Sequence, residues 1–142
     1  MTSASTTPEI SGAAATDPLQ LIDVDHVRFY VGNAKQAAFF YAQTFGFEVT
    51  QIADLTTGSR ETAQYLLTQG NIRFILETPL NPAHPINEEL VKFGDGVKDV
   101  AFNVQDAEKA YERAVSNGGE SAYEPRTISD EHGTVTTAGV KS

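Results

Sequence analysis

The chain has no cysteine, so it forms no disulfide and does no thiol chemistry, a composition that suits a cytoplasmic protein. Basic residues are scarce. Ten Lys and Arg stand against nineteen Asp and Glu, a formal net charge of −9. The few cations are scattered, which excludes a grip on a nucleic-acid backbone and leaves solubility as the main consequence of the acidity. No stretch approaches the ~20 apolar residues of a membrane span. Residues 1–20 contain no Lys or Arg and are rich in Ser, Thr, Ala and Pro. They lack the basic start and apolar run of a secretory signal and the arginines of a transit peptide, so they read as a disordered tail. A Ser-His-Asp order, a Walker loop, a CxxC pair and a dinucleotide fingerprint are also missing.

What is present is a repeat. Residues 24–46 recur without a gap 73 positions further on. Val24, Val27, Phe29, Val31, Ala34, Ala37 and Gly46 meet Val97, Val100, Phe102, Val104, Ala107, Ala110 and Gly119, and Asn33 meets Asp106 at the same helix start. Repeated units stack because each alone leaves an apolar face uncovered.

The first copy opens with alternating apolar and polar residues over 21–31, the pattern of a half-buried strand. Asn33 caps a helix, with Gln36 three positions on as in a capping box. Ala34, Ala37, Ala38, Tyr41 and Phe45 share its apolar face, and Gly46 ends it. Strands are expected at 48–54, 61–68 and 72–78, with turns at Gly58-Ser59 and Gly70-Asn71. A linker with three prolines carries a short helix at 86–93. The second copy repeats the order: a strand at 97–104, a cap at Asp106, and a helix burying Ala107, Ala110, Tyr111, Ala114 and Val115. Gly118-Gly119 closes that helix, and strands follow at 120–125 and 134–140, with a turn at 130–133 between them. The offset puts the counterpart of strand 72–78 beyond residue 142. The expectation is an α+β domain over 21–142 built from two tandem β-α-β-β-β modules. Module one spans 21–78, the linker 79–96, and module two 97–142, truncated and lacking its last strand.

Paired β-α-β-β-β units resemble the vicinal-oxygen-chelate, or glyoxalase-like, fold. The strings VDHVRFYVGNAKQAAFFYAQTFGFE, LTTGSRE, QGNIRFIL, FGDGVKDVAFNVQDAEKAYERAV, EPR and DEHGTV resemble the N-terminal domain of the 4-hydroxyphenylpyruvate dioxygenase family, in family order, over nearly all of 24–140. The resemblance implies an enzyme that converts 4-hydroxyphenylpyruvate and O2 to homogentisate and CO2 in tyrosine catabolism. It uses Fe(II) held by two His and one Glu, a set that leaves positions open for substrate and O2. Those ligands belong to a C-terminal catalytic domain, so the resemblance places no catalytic, cofactor-binding or metal residue on this chain. It implies an inactive fragment whose partners are its own catalytic domain and further copies in a homo-oligomer. Hydroxymandelate synthase, which resembles the same family and uses the same substrate, is the near alternative, and the broader distribution of the dioxygenase family favours the dioxygenase. A stand-alone glyoxalase-like or bleomycin-resistance-like binding protein is the alternative of a different class.

His26 stands mid-strand in the first copy, and its repeat mate is Asp99. Glu77 lies on the last strand of the first unit. Metal-binding members of the fold draw ligands from these positions, so His26, Glu77 and Asp99 form either a His-and-two-carboxylate site for Fe(II), Mn(II) or Zn(II) or a vestige of duplication. His84 reads as a solvated loop residue and His132 as a turn residue. Gly58-Ser59-Arg60-Glu61 reads as a hairpin turn with a solvated or interface ion pair, and the charges of 94–99 as pins between linker and sheet. Phe29, Phe39, Phe40, Tyr41, Phe45, Phe47 and Phe102 are expected in helix-on-sheet packing.

Overall fold

The computed structural model describes residues 17–141. The predicted tail lies outside the described residues up to residue 16. The Asp17 carboxylate accepts hydrogen bonds from the backbone N–H groups of Leu19, Gln20 and Leu21. The chain forms two compact units, one of residues 22–103 and one of 17–21 with 104–141. Among the described residues no helix is long and apolar enough to cross a membrane.

The first unit is a five-stranded sheet in the order β2-β3-β4-β1-β5. Its strands are β1 (Leu21–Tyr30), β2 (Glu48–Ala53), β3 (Thr62–Gln69), β4 (Ile72–Pro79) and β5 (Gly96–Val104). Helix α1 (Ala34–Phe45) joins β1 to β2, and α2 (Ile86–Phe93) leads into β5. Strand β4 runs parallel to β1 and antiparallel to β3. Alternation sorts the side chains into two faces. On one face, Leu67 lies opposite Phe74 and Phe74 opposite Val27, while Tyr65 lies opposite Leu76 and Leu76 opposite Phe29. Helix α1 covers this face through Ala34 and Ala38, which are almost wholly buried. Small side chains one turn apart let the helix lie close to the sheet. Leu67 and Leu76 are fully buried beneath it, and Phe47 stacks on Phe74 with ring centroids 4.8 Å apart.

Helix α1 starts and stops as the sequence signals. The Asn33 side chain accepts from Gln36 N–H at 3.0 Å. Gly46 closes the helix at φ 77°, a left-handed conformation that glycine adopts without steric cost. The aromatic residues divide. Phe29, Tyr41, Phe47 and Phe74 pack against the buried cluster. Phe39, Phe40, Phe45 and Phe102 are instead 67%, 53%, 55% and 52% exposed. The sheet covers one helical face, and Phe39 and Phe40 fall outside it.

The second unit packs α3 (Ala107–Ser116) on a hairpin of β6 (Glu120–Asp130) and β7 (Gly133–Lys141). The hairpin turn forms at Asp130, whose carboxylate accepts from the N–H groups of His132 and Gly133. Tyr123 lies opposite Gly139 and Ile128 opposite Val135. A side chain at Gly139 would sit 2.4 Å from the Tyr123 ring, so that ring needs a glycine beneath it. The Arg126 guanidinium stacks on the same ring at 4.5 Å. The α3 face expected to be buried is only half-covered. Ala107, Ala110, Tyr111 and Ala114 are half-buried, and Val115 is exposed.

The repeat is visible in the fold. Helices α1 and α3 begin 73 positions apart, β2 maps into β6, and β3 maps onto β7. Three strands follow α1 in the first copy. Two follow α3 among the described residues.

Candidate functional site

Opposite the α1-covered face, the sheet presents polar side chains. Gln64, Glu77 and Tyr30 form one row, because Glu77 pairs with Gln64 on β3 and with Tyr30 on β1. Arg28, two residues before Tyr30, leaves β1 on the same face. Its Nη1 donates to Glu77 Oε2 at 2.6 Å. Gln64 Nε2 donates to the other carboxylate oxygen, Oε1, at 2.8 Å. Arg28 Nε lies 3.8 Å from Asp99 Oδ2 on β5. One guanidinium thus links β1, β4 and β5, and the Gln64 amide brings in β3. The Glu77 side chain is only 9% exposed. A carboxylate so buried stays charged only when paired and hydrogen-bonded, and here both oxygens are.

Beside this row, burial and the Glu77 charge push the Tyr30 phenol above the usual tyrosine range. Lys98 lies over the Tyr30 ring at 5.3 Å and donates to Glu89 at 2.6 Å. The Glu89 hydrogen bond holds the Lys98 ammonium above its ordinary value. Tyr30, Glu89, Phe93, Val97 and Lys98 line a cleft of about 230 Å³. Asp95 accepts from Gly32 N–H at 2.8 Å. The charges of this segment therefore pin it to the sheet, as expected.

The three residues singled out from the sequence do not converge. Glu77 and Asp99 meet only through Arg28. His26 turns to its neighbour, with Nδ1 2.7 Å from Asp25 Oδ2. Asp25 also accepts from Arg73 at 2.8 Å and from Asn103 at 3.3 Å. Its carboxyl is held below the usual aspartate range, first by the His26 hydrogen bond. Among the described residues no group of three or more His, Cys, Asp or Glu is placed to hold a metal ion. The residues as arranged do not fit one. Both Glu77 oxygens already accept hydrogen bonds, one from a guanidinium and one from an amide, and a metal would have to compete with these donors. Chemically the arrangement fixes charge across strands. A guanidinium stays protonated throughout the working pH range and cannot act as a proton donor or base.

The remaining candidates have local roles. His84 Nδ1 accepts from Ile86 N–H at 3.3 Å, at the start of α2. His132 is exposed in the β6–β7 turn. Ser59 Oγ donates to Thr62 C=O at 2.6 Å and closes its hairpin. Glu61 takes a hydrogen bond from Asn81 at 3.4 Å, and the expected ion pair of Arg60 is not found among the described residues. A larger cleft of about 410 Å³ lies near the α1 start, lined by Lys35, Asp54, Leu55, Tyr65 and Leu80 among others. Burial, then the Asp54 charge, raises the Tyr65 phenol. Arg28 and Gln64 were missed by the sequence reading. A signal existed for Arg28: its repeat mate is Ala101, so the first copy carries a charge on this strand where the second has a methyl group.

The comparisons agree with this architecture. The chain is 44% identical over 119 residues to a 4-hydroxyphenylpyruvate dioxygenase from Dictyostelium discoideum, covering 83% of this chain and 32% of the relative. It is 44% identical over 123 residues to that of Caenorhabditis briggsae, covering 86% and 31%. Against that of Coccidioides posadasii it is 39% identical, covering 100% and 39%. The chain thus spans about a third of the length of the curated relatives it matches. A triple mutant of 4-hydroxymandelate synthase from Streptomyces coelicolor superposes with a TM-score of 0.77 at 24% identity, covering 86% of this chain and 36% of that one. Methylmalonyl-CoA epimerase from Mycobacterium tuberculosis superposes at 0.63 and 21% identity, covering 82% and 78%. At such identities the structural likeness shows the fold alone. Repeat, strand order and sequence match lead to one family: with residues 23–138 matched, the chain belongs to the Glyoxalase/Bleomycin resistance protein/Dioxygenase superfamily.

Proposed function

We propose that this chain is the N-terminal, non-catalytic domain of a 4-hydroxyphenylpyruvate dioxygenase, organised as module one at 21–78, a linker at 79–96 and module two at 97–142. The whole enzyme converts 4-hydroxyphenylpyruvate and O2 to homogentisate and CO2 in tyrosine catabolism. One observation carries the reading: relatives of that name match 82–100% of this chain at 39–44% identity. The pairing of Glu77 with Arg28 supports the non-catalytic part, because it ties up the carboxylate that the fold offers to a metal. When bound in a separate catalytic domain, Fe(II) supplies open positions for the keto acid and O2. The role of the present chain is to pack against that domain and to support contacts in a cytoplasmic homo-oligomer.

The test is turnover. The purified chain, given 4-hydroxyphenylpyruvate, Fe(II) and ascorbate, is expected to consume no O2 and form no homogentisate. Co-expressed with a catalytic domain encoded downstream, it is expected to yield an active enzyme. Turnover by the chain alone, or a downstream frame with no domain carrying two His and one Glu, would overturn the proposal. Product identity separates the neighbouring reading: hydroxymandelate instead of homogentisate would make the parent a hydroxymandelate synthase.

A further inference from the structure

We infer that Arg28 is the resident cation of the polar sheet face, and that its guanidinium keeps a divalent metal off the carboxylates of Glu77 and Asp99. This goes beyond the functional reading above, which requires only that the domain does no catalysis. It assigns the cause to one side chain.

Arg28 is 2.6 Å from Glu77 and 3.8 Å from Asp99. The second Glu77 oxygen is held by Gln64 at 2.8 Å. A divalent ion binds carboxylate oxygen at roughly 2.0–2.2 Å, so it competes for oxygens that already accept from these donors. It would also meet the positive charge of the guanidinium a few ångströms away, in a site where the Glu77 carboxylate is nearly buried. An imidazole is also present on the strand of Arg28. His26 lies two residues before Arg28, so its side chain leaves β1 on the same face. Its Nδ1 faces Asp25, the kind of carboxylate contact that orients a metal-binding imidazole and leaves Nε2 to coordinate. Arg28 therefore substitutes for a metal as the cross-link between strands and blocks one in the same act.

Removing the guanidinium converts exclusion into binding. The full chain, Arg28→Ala, Arg28→Gln and the double variant Arg28→Ala/Glu77→Gln are each dialysed against Zn(II) or Mn(II) and analysed for retained metal, with circular dichroism as the check on folding. The wild type is expected to retain no stoichiometric metal. Arg28→Ala is expected to retain about one equivalent with affinity at least roughly tenfold above wild type, and the double variant to lose it. Arg28→Gln keeps a donor for Glu77 without the charge, and covers the case in which the alanine variant does not fold. A third measurement needs no variant: paramagnetic Mn(II) added to the wild type should leave the amide signals of Tyr30 and Glu77 unbroadened. Folded Arg28 variants that bind no more metal than wild type overturn the inference and leave the functional reading intact. Wild-type protein that binds one metal in a Glu77-dependent way, or Mn(II) broadening at Tyr30 and Glu77, overturns the inference and also removes the structural support for a non-catalytic domain.

Discussion

The two copies of the repeat share their local grammar and differ in what covers them. Asn33 and Asp106 cap their helices with nearly the same backbone, φ −148°, ψ 95° and φ −145°, ψ 106°. Each side chain accepts from the N–H three residues on. The first strands carry the same apolar letters. Yet Val31, Ala34 and Ala38 are buried in the first copy, whereas α3 has no buried residue and Val100 and Phe102 are 45% and 52% exposed. Strand β1 is flanked by β4, which brings Phe74 and Leu76 to Val27 and Phe29. Strand β5 stands last in its sheet, and no described strand relates to it as β4 relates to β1. Caps and turns are local instructions and survive duplication. Burial is a property of neighbours and is not carried by the repeat itself.

The comparison breaks most sharply in the cores. Leu67→Ala removes a fully buried side chain under α1 and is expected to cost about 2–5 kcal/mol. Val115→Ala, on the exposed counterpart helix, is expected to cost under about 1 kcal/mol. Urea denaturation followed by amide exchange separates the two. Equal losses would show that α3 is as well covered as α1. The next effect is smaller and belongs to the second unit. Gly139→Ala drives a methyl group into the Tyr123 ring, so Tyr123 must move and its stacking with Arg126 is disturbed. A loss of about 1–3 kcal/mol is expected. Tyr123→Ala in the same background should recover part of it, and a lack of recovery would place the strain elsewhere.

How far the sequence carried the fold follows from the same contrast. Period-two patterns and glycine turns placed every strand of the described chain, and the linker helix at 86–93 was read to the residue. These are signals that a short window contains. Strand β6 runs on to Asp130, past the expected end at Pro125, because pairing with β7 extends it where its own composition gives no cue. The exposed Phe39, Phe40, Phe45 and Phe102 were misplaced for a related reason: an apolar letter states a preference, and whether it is met depends on what lies opposite. In the site, His26, Glu77 and Asp99 are singled out by the repeat and the family resemblance. The pattern carried no sign of which cation Glu77 would take, since Arg28 reaches it diagonally across a parallel pair whose register no local motif specifies. His26 was drawn to Asp25 by its immediate neighbour in the chain.

The finest test lies in the caps, where the copies are most alike. Asn33 does not titrate and Asp106 does. Asn33→Ala is expected to cost about 1 kcal/mol at any pH. Asp106 accepts from Lys109 N–H, and this bond, with the Lys109 side chain beside it, holds its carboxyl below the ordinary aspartate range. Lowering a folded-state pKa means that the charged form is favoured by folding. The contribution is therefore present above the unfolded aspartate value and fades as pH falls through the folded one. The cap is exposed, so the effect is small and screened by salt. Between neutral pH and the acid side of the aspartate range, Asp106→Asn should flatten the pH dependence of exchange protection in α3 and leave α1 unchanged. If α1 and α3 lose protection in parallel with and without the Asp106 carboxyl, the two caps differ in nothing but their letters, and the acid sensitivity of the second helix must come from elsewhere.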